Sequence, residues 1–516
     1  MSREHLSVLE GAQFDVAVIG AGINGSSAAQ HQAAEGFSVL LVDAQDFGAG
    51  ASSRSSRMMH FGLRYLDRGE PIWNYVANPG WFIKQCFRAR DTMRHRAELV
   101  RTMPARMKPY TMHIPIYLQD HTAPWQMSLG LQIINLLGGP DVPVKWEKFE
   151  RGSFDRSPFA PLARDQDQLQ SVFAVQEFQF DWPERLVADY TMDACRMGAV
   201  CRNYTEAVAF DQVEGAGWAL TLRDVLSPDN TVRVDAKQIV NTTGPWIDQL
   251  LKGAAGGAGQ QVEATKGSHI ALRLPEAFHG HAFAHFNRRG YPFYVCPWRD
   301  LHFVGPTETP FSGDPGDVRV TEDDVAFLLT EVNHMLPGLK ISAEDILFHW
   351  SGVRPMPFIA GYKGKQNLIP EFNDHGTEGM ANLLSVPGGP LMVHRYTGRQ
   401  ITAKVAEKIA PAGARHVASF DTVGLEENTN SPPVNAAYPD IRLSHLQQMA
   451  REELPASLSD LLLRRAGLGW THDLSQEAAR AAAEAVAADM GWDAAQIDTQ
   501  VADYRRFVQE HFVRTG

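Results

Sequence analysis

FDVAVIGAGINGSSAAQHQAAEGFSVLLVDA, residues 14–44, is the stretch that decides the fold of this chain. An apolar run that ends at Ile19 predicts a buried strand, and the Ala-rich segment after the glycine-rich turn predicts a helix. A second apolar run, which ends just before Asp43, predicts another strand. Strand, turn, helix and strand within about 30 residues predict a βαβ unit, and therefore an α/β fold built on a parallel sheet.

The turn of this unit carries Gly20, Gly22 and Gly25 in the pattern GxGxxG. The first glycine permits the tight turn, the second lets a pyrophosphate approach the backbone, and the third lets helix and strand pack closely. The helix N-terminus offers unpaired N–H groups to phosphates. Asp43 is placed to accept hydrogen bonds from ribose hydroxyls, so we predict a dinucleotide site that also includes Asn24.

Two later segments bear on the cofactor, because the GxGxxG pattern suits NAD and FAD alike. Residues 238–251 predict a strand that runs into a Thr-Gly-Pro turn, an arrangement that brings the chain beside the nucleotide in many FAD enzymes. Residues 382–409 predict a strand followed by Gly-Gly-Pro, where proline is tolerated at the start of a helix. A helix N-terminus there would stabilise reduced flavin. The two segments add these residues to the predicted cofactor site: Gly244, Gly388, Gly389, Pro390 and Leu391.

Composition limits the remaining possibilities. The 516 residues, 44% of them apolar, suffice for about two to four domains. The formal net charge of −12 gives no reason to expect nucleic acid as a partner. Four cysteines without a CxxC pair or metal-ligand spacing predict reduced thiols and no metal site. Residues 1–13 contain no apolar core of the kind that a signal peptide has, so we expect no secretory signal, and no run of about 18 strongly apolar residues occurs. These features predict a cytoplasmic protein and leave attachment to a membrane surface open.

The middle of the chain contains two further local patterns. Residues 290–305, GYPFYVCPWRDLHFVG, predict two strands around a turn at Arg299 and Asp300. Thr321 with Asp324 predicts the start of a helix whose apolar side chains recur on one face.

The C-terminal part predicts a linker and then helices. Residues 411–440 are rich in turn formers. Beyond them, Ser475 is a candidate N-cap and Gly491 a candidate stop for one helix, and a second helix is predicted from Asp493. Packing against the rest of the protein is the expected role of this tail.

Six ordered motifs together resemble the FAD-dependent glycerol-3-phosphate dehydrogenases and oxidases. The resemblance runs from about residue 14 to the C-terminus, so it is far more specific than any one motif. Besides the βαβ unit, the motifs are GAGASSRSSRMMHFGLRYL (48–66), KGSHIAL (266–272), FVGPTETPFSGDP (303–315), WSGVRPM (350–356) and LPASLSDLLLRRAGLGW (454–470).

The resemblance implies FAD as the cofactor and three structural parts. These are a Rossmann-like FAD-binding domain, a β-rich substrate or cap domain over the flavin, and an all-α C-terminal domain. The predicted boundaries are residues 1–75, 170–264 and 350–411 for the FAD domain, 76–169 and 265–349 for the cap, 412–440 for the linker, and 441–516 for the helices.

The resemblance also implies roles for individual side chains. The serine-rich loop would bind the FAD phosphates through Ser52, Ser53, Ser55 and Ser56. Oxidation of a secondary alcohol by flavin needs a base for the hydroxyl proton and, for a phosphorylated substrate, a cationic clamp. The residues predicted to contact substrate are His60, Arg64, Tyr65, His269 and Arg354. The arginines suit a phosphate because a guanidinium binds two oxygens at once, and either histidine suits the proton, with the choice left open.

Two residues depart from the family pattern. Phe61 replaces a glycine and would narrow or reshape the pocket. Pro390 replaces a lysine that lies near flavin and substrate in the family, so one cation is lost. Three explanations stay open: His394 or Arg395 supplies the charge, the substrate is a related polyol phosphate or hydroxy compound, or activity is weak. We favour the altered substrate.

A basic segment followed by an uncharged one bears on membrane contact. Residues 81–110 hold eight Lys or Arg against two acids, and residues 121–140 hold no Asp, Glu, Lys or Arg. The uncharged part is too short to span a bilayer but apolar enough to lie in one beside cations. Family members that pass electrons to membrane quinone dock similarly, so peripheral contact through residues 81–139, on the inner face of the cell membrane, and an internal cap helix are both open interpretations.

The predicted function is oxidation of glycerol 3-phosphate or a related anionic polyol to a ketone, with hydride transfer to the flavin N5 atom. Two alternatives remain: an oxidase that uses oxygen directly, and a weakly catalytic flavin protein that serves as a redox partner. The electron acceptor is either quinone or oxygen. A homo-oligomer is also left open.

Overall fold

A computed structural model describes residues 3–60, 62, 78–213, 217–253, 258–361, 369–420 and 430–514. The strands are β1 (Gln13–Ile19), β2 (Val39–Val42), β3 (Met107–Tyr117), β4 (Trp146–Glu150), β5 (Leu169–Phe180), β6 (Val200–Arg202), β7 (Thr205–Val213), β8 (Gly217–Asp224), β9 (Thr231–Asn241), β10 (Val262–Leu272), β11 (His281–Phe286), β12 (Pro292–Trp298), β13 (Leu301–Gly305), β14 (Thr309–Pro310), β15 (Ile346–Pro357), β16 (Asn373–Asp374), β17 (Leu383–Ser385), β18 (Pro433–Asn435) and β19 (Tyr438–Arg442).

The α-helices of the described residues lie between and after these strands. They are α1 (Ile23–Ala34), α2 (Pro79–Thr102), α3 (Pro124–Gly138), α4 (Pro183–Arg196), α5 (Ile247–Lys252), α6 (Glu322–Met335), α7 (His394–Ala406), α8 (Leu443–Glu452), α9 (Ala479–Met490) and α10 (Ala494–His511). None of them is long and apolar enough to cross a membrane.

The first sheet is built on the βαβ unit. Its strand order is β16, β17, β9, β1, β2, β6; in addition β8 pairs with β9, and β7 pairs with β8. Strand β1 pairs in parallel with both β2 and β9, and all four residues of β2 are buried. Helix α1 packs against α4 and α7. The carboxyl ends of β1, β9 and β17 therefore meet at one edge, where ligands bind in open α/β sheets.

The second sheet is mostly antiparallel. Its order is β14, β10, β13, β12, β11, β3, β5, β4, and the long strand β15 pairs with β10 along its length. Helix α6 covers one face through Val325, Leu328 and Val332. This sheet supplies the KGSH and SGVRP motifs, because β10 and β15 bring His269 opposite Trp350 and Thr265 opposite Arg354.

The C-terminal helices pack against this second sheet. Trp470, Leu446 and Tyr504 share one buried cluster with Trp298 and Trp350 of the sheet. Buried ion pairs tie the same region to the first sheet, since Arg465 contacts Asp46 at 2.8 Å and Arg185 contacts Glu453 at 2.6 Å. The predicted α/β class, with a dinucleotide-binding sheet, a β-rich second sheet and a helical C-terminal region, is confirmed.

Most local predictions agree with the structure. The turn between β12 and β13 lies at Arg299 and Asp300. Thr321 caps α6 by accepting the backbone N–H of Asp324, and Asp493 caps α10 in the same way. These boundaries depend on hydrogen bonds within one turn of the chain, which is why sequence alone predicts them.

One predicted helix start is wrong and another is confirmed. Helix α9 begins at Ala479 because Ser475 is used elsewhere: its hydroxyl donates to the carbonyl oxygen of Leu468, 2.6 Å away, and closes a buried turn. Pro390 stands at the start of a helical segment, as predicted: it is the N-cap of a 3₁₀ turn over Leu391–Val393 that continues directly into α7 at His394.

Candidate active site

A cavity of about 770 Å³ opens at the carboxyl edge of the first sheet and reaches the second sheet. The glycine-rich turn, the serine-rich loop and residues 388–392 line one part of it. His60, His269 and Arg354 line another part. One continuous space therefore joins the predicted dinucleotide site to the predicted substrate residues.

The glycine-rich turn has the conformation that a pyrophosphate site requires. Gly20 has a φ of +99°, and a Cβ on it would lie 2.7 Å from the carbonyl oxygen of Thr242. A Cβ on Gly25 would lie 1.9 Å from the carbonyl oxygen of Gly20, so this glycine serves packing and does not line the cavity. Gly22 is the N-cap of α1 and caps it with no side chain, so the N–H groups of the first turn beyond Ile23, whose N–H is donated to Ser52, are available to phosphate oxygens.

Asp43 lies at the end of β2, on the cavity wall. Its carboxylate accepts the backbone N–H groups of Ala21 at 2.7 Å and Gln45 at 2.8 Å. Burial nevertheless raises the pKa of Asp43 to about 7, with a smaller contribution from Asp46. Ribose hydroxyls that donate to this carboxylate would favour its ionised form.

We expect the affinity for FAD to fall as the pH is lowered. If FAD binds the ionised form of Asp43, whose pKa is about 7, protonation competes with binding. The dissociation constant should then rise about tenfold between about pH 8 and about pH 6. Flavin fluorescence titration of cofactor-free protein measures this, and Asp43→Asn is the control that should bind FAD weakly at every pH. An affinity of the wild type that is constant over this range contradicts the assignment.

The serine-rich loop divides into residues that face the cavity and one that does not. Ser52, Ser55 and Ser56 line it, and the Ser52 hydroxyl accepts the backbone N–H of Ile23 at 2.9 Å. Ser53 is buried, and its hydroxyl donates to the carbonyl oxygens of Ala49 and Gly50, 3.1 Å away in each case. Ser53 therefore supports the shape of the loop, and its contact with the cofactor stays a prediction.

Residues 388–391 form the opposite wall near the N-terminus of α1. Gly389 has a φ of +91°, and a Cβ on it would crowd the Asn24 side chain at 3.2 Å. The Asn24 amide donates to the carbonyl oxygen of Gly388 at 3.2 Å, while its Oδ1 atom is buried without a partner among the described residues. The close backbone approach at Gly389, the N-terminus of α1 and this unpartnered oxygen together fit a dinucleotide such as FAD.

His269 and Arg354 come from neighbouring strands of the second sheet. The His269 ring stacks on Trp350 with centroids 4.8 Å apart, and its Nε2 atom lies 3.0 Å from the Ser56 hydroxyl. Burial, then the charges of Arg354 and Arg57, hold the pKa of His269 well below 6.5. The ring is therefore neutral at physiological pH.

Arg354 is the cation that the second sheet presents to the cavity. A Cβ on Gly267 would lie 2.4 Å from its Nη2 atom, so this glycine leaves room for the guanidinium. Burial lowers the pKa of Arg354, and its Nη1 atom is buried with no hydrogen-bond partner among the described residues. A phosphate would supply the missing acceptor.

Of the remaining predicted substrate residues, only His60 lies in the part of the chain that the structure describes. His60 is half-buried and lines the cavity. Arg64 and Tyr65, and also Phe61, lie outside the described residues.

Neither candidate replacement for the missing lysine faces the cavity. The Nε2 atom of His394 lies 2.7 Å from the Tyr190 hydroxyl, and burial lowers its pKa to about 3. Arg395 contacts Glu98 at 3.3 Å and lies 3.4 Å from the centroid of Phe420. Both side chains are held by these contacts in the packing around α7, and neither lines the cavity.

Several lining residues were missed by sequence reasoning. Val208 of β7, Trp246 and Arg223 line the cavity near Asp43. No local motif marks them, since each reaches the cavity through strand pairing or a turn. The four cysteines form no disulfide with one another, and the described part of the chain holds no group of three or more His, Cys, Asp or Glu placed to bind a metal.

Comparison with known proteins agrees with this arrangement. A family model described as FAD dependent oxidoreductase (DAO) matches residues 15–403. A glycerol-3-phosphate dehydrogenase from Synechocystis sp. is 26% identical over 577 residues, covering 98% of each chain. An aerobic glycerol-3-phosphate dehydrogenase from Staphylococcus epidermidis is 26% identical over 416 residues, covering 79% of this chain and 70% of the relative.

Solved structures share the fold. The glycerol-3-phosphate dehydrogenase of Bacillus halodurans, complexed with FAD, superposes with a TM-score of 0.72 at 20% identity and covers 98% of this chain and 96% of its own. The L-alpha-glycerophosphate oxidase of Mycoplasma pneumoniae with FAD bound gives a TM-score of 0.58 at 14% identity, covering 78% of this chain and 97% of its own.

Proposed function

This chain belongs to the DAO family of FAD dependent oxidoreductases, and from this premise we propose that it oxidises the secondary alcohol of glycerol 3-phosphate or a closely related phosphorylated polyol. The observation that carries the proposal is the shared cavity, in which a dinucleotide cradle meets Arg354 with its unpartnered Nη1 atom. The names of the Synechocystis and Staphylococcus relatives support the same substrate.

Each side chain has a distinct part in this reaction. Arg354 would bind the phosphate through two guanidinium N–H groups and so orient the carbinol carbon. Bound FAD would supply the hydride acceptor. The cradle formed by the glycine-rich turn and residues 388–391 would hold it in register with the substrate.

His60 is the better candidate for the proton acceptor. A general base works best with a pKa near the working pH, and His269 has a pKa held far below that range. His269 is also almost fully buried, with 1% of its surface exposed. It is suited to hold Ser56 in place as a neutral partner, whereas the half-buried His60 can reach a substrate hydroxyl.

The substrate can be tested by anaerobic reduction of the bound flavin. We expect glycerol 3-phosphate to bleach the flavin absorption, and unphosphorylated glycerol to do so at least about a hundredfold more slowly because it lacks the charge that Arg354 binds. Equal rates with both alcohols, or no bleaching by any phosphorylated polyol while dithionite bleaches, contradict the proposal.

The same assay addresses the loss of the family lysine. The altered-substrate hypothesis predicts that another phosphorylated polyol bleaches the flavin faster than glycerol 3-phosphate. A clear preference for glycerol 3-phosphate contradicts that hypothesis and leaves the proposed reaction intact. Hydrogen peroxide released during aerobic turnover would identify oxygen as the acceptor.

We infer in addition that the protein docks on a membrane surface, where quinone would accept the electrons. The outer face of α3 carries Trp125, Leu129 and Leu136, which are 60%, 43% and 83% exposed. The neighbouring helix α2 exposes Ile83 and Phe87. Its exposed Lys84 and Arg94 have no ion pair among the described residues. An apolar face beside such cations suits an anionic bilayer.

Not all basic residues of this segment serve that surface. Arg96 forms a fully buried pair with Glu177 at 2.9 Å. Arg106 is paired with Asp189 at 2.9 Å and Arg101 with Asp141 at 2.7 Å. Fewer positive charges are therefore available to a membrane than the eight Lys and Arg of residues 81–110 would provide.

Replacing Leu129 and Leu136 by serine is expected to weaken docking. Each leucine buried in lipid contributes about 1.5–3 kcal/mol, so the double variant should bind anionic vesicles at least about tenfold more weakly in flotation assays. Leu226→Ser, at another exposed leucine, is the matched control. Docking should also weaken at high salt. Wild-type protein that does not float at low salt, or a double variant that floats like wild type, contradicts the inference.

A further inference from the structure

A second cavity of about 360 Å³ lies beside the first. The two cavities share a wall that includes Ala51, Arg54 and Trp246. The far wall of the second cavity comes from the C-terminal region, with Ser459 and His511 among its residues. The proposed oxidation does not use this space.

Arg54 is an uncompensated cation at this junction. Its guanidinium carbon lies 4.6 Å from the ring centroid of Phe512 and 6.0 Å from that of Phe507. Its side chain has no ion pair or hydrogen bond within the part of the chain that the structure describes. The aromatic rings fix the position of the guanidinium, but they leave its N–H groups without an acceptor.

The nearby arginines are neutralised and Arg54 is not. Arg57 pairs with Glu184 at 2.6 Å, and Arg464 pairs with both Asp46 and Asp460. Burial, with repulsion from Arg464 and Arg57, lowers the pKa of Arg54 to about 10. Arg54 is still charged at neutral pH, and an anion beside it would offset this repulsion.

The other polar groups on the wall are compatible with an oxyanion. His511 is kept neutral because burial and then Arg54 lower its pKa, so it can gain a proton when an anion binds. Ser459 adds a hydroxyl. Asp503 also lines the cavity, but its carboxylate is paired with Arg506 at 2.6 Å, which reduces its repulsion of an anion.

We propose that the cavity lined by Arg54, Ser459 and His511 binds a phosphate dianion, either inorganic phosphate or the phosphate group of a small monoester. A planar guanidinium matches two phosphate oxygens, and the volume accommodates a phosphate with a short carbon chain. The bound anion would bridge the serine-rich loop to helix α10, so occupancy would strengthen the contact between the FAD site and the C-terminal helices.

Calorimetric titration of the FAD-loaded full-length protein tests the proposal. Two probes distinguish the sources of phosphate: inorganic phosphate, and glycerol 2-phosphate, which has no secondary hydroxyl to oxidise. Both titrations are repeated in Arg354→Met, which removes the phosphate contact of the first cavity. We expect binding to persist in that variant, with the tighter of the two probes identifying the source.

Two variants then locate the bound phosphate. Arg54→Met should lower the affinity for phosphate by at least about tenfold. Ser459→Leu should lower it to the same extent, because the larger side chain fills the cavity. Arg480→Met, at an exposed arginine paired with Asp498, should bind phosphate like wild type. FAD absorbance per protein measures cofactor retention in each variant, and phosphate affinities are compared on preparations with equal FAD content.

Three results overturn the proposal. The first is no phosphate binding by the wild type. The second is binding that survives both Arg54→Met and Ser459→Leu or is lost in Arg354→Met, because the phosphate would then lie in the first cavity. The third is loss of FAD by Arg54→Met with no phosphate binding by the wild type, because Arg54 would then serve the FAD pyrophosphate.

Discussion

Replacing Arg354 by methionine is expected to lower kcat/KM for glycerol 3-phosphate by about 10²–10³-fold while the protein still binds FAD. The buried Nη1 atom of Arg354 has no partner among the described residues, so the substrate phosphate would be its acceptor. Removing one member of a buried charge pair costs about 3–5 kcal/mol in binding. Steady-state kinetics and flavin absorbance per protein measure the two quantities.

The substrate dependence of the Arg354 variant tests phosphate binding more directly than the overall loss of kcat/KM does. Oxidation of unphosphorylated glycerol should change little, so the preference for the phosphorylated alcohol should collapse. Arg354→Lys should recover only part of the loss, because an ammonium lacks the planar pair of N–H donors. Arg273→Met, at an exposed arginine of the same sheet that contacts Asp300 at 3.0 Å, should behave like wild type. Equal losses for both alcohols would mean that Arg354 does not bind the phosphate.

Replacing His60 by glutamine is expected to lower kcat by about 10²–10⁴-fold, the usual contribution of a general base. KM should change little, since glutamine still forms hydrogen bonds with the substrate. The decrease of kcat/KM on the acid side, where the imidazole would be protonated and unable to accept a proton, should disappear in the variant. A full pH profile of wild type and variant measures this.

His269→Gln is the comparison that separates the two histidines. Because His269 is neutral, buried and held against Ser56, its replacement should lower kcat less than His60→Gln does and should leave the acid limb of the profile in place. His279→Gln, at an exposed histidine, controls for nonspecific effects. A larger loss in His269→Gln, with loss of the acid limb, would assign the base to His269.

Local patterns in the chain predicted much of the fold. The βαβ unit, the turn at Arg299 and Asp300, and the caps at Thr321 and Asp493 depend on residues close together in sequence. Ser475 shows the limit of this reasoning: it has the right chemistry for an N-cap, yet its hydroxyl bonds to Leu468 within a buried turn. Packing of the C-terminal helices against the second sheet outweighed the local preference.

What the sequence determined by itself was the glycine-rich half of the cofactor cradle, since three glycines, an acidic residue and a helix start lie within about 30 residues and act through local geometry. Only the tertiary structure decided which cations face the cavity. Arg354 does and Arg395 does not, although both were candidates, because strand pairing of β10 with β15 directs the first and helix packing against Glu98 and Phe420 directs the second. The direction of each side chain depends on contacts with segments far away in the sequence, and no local pattern records them.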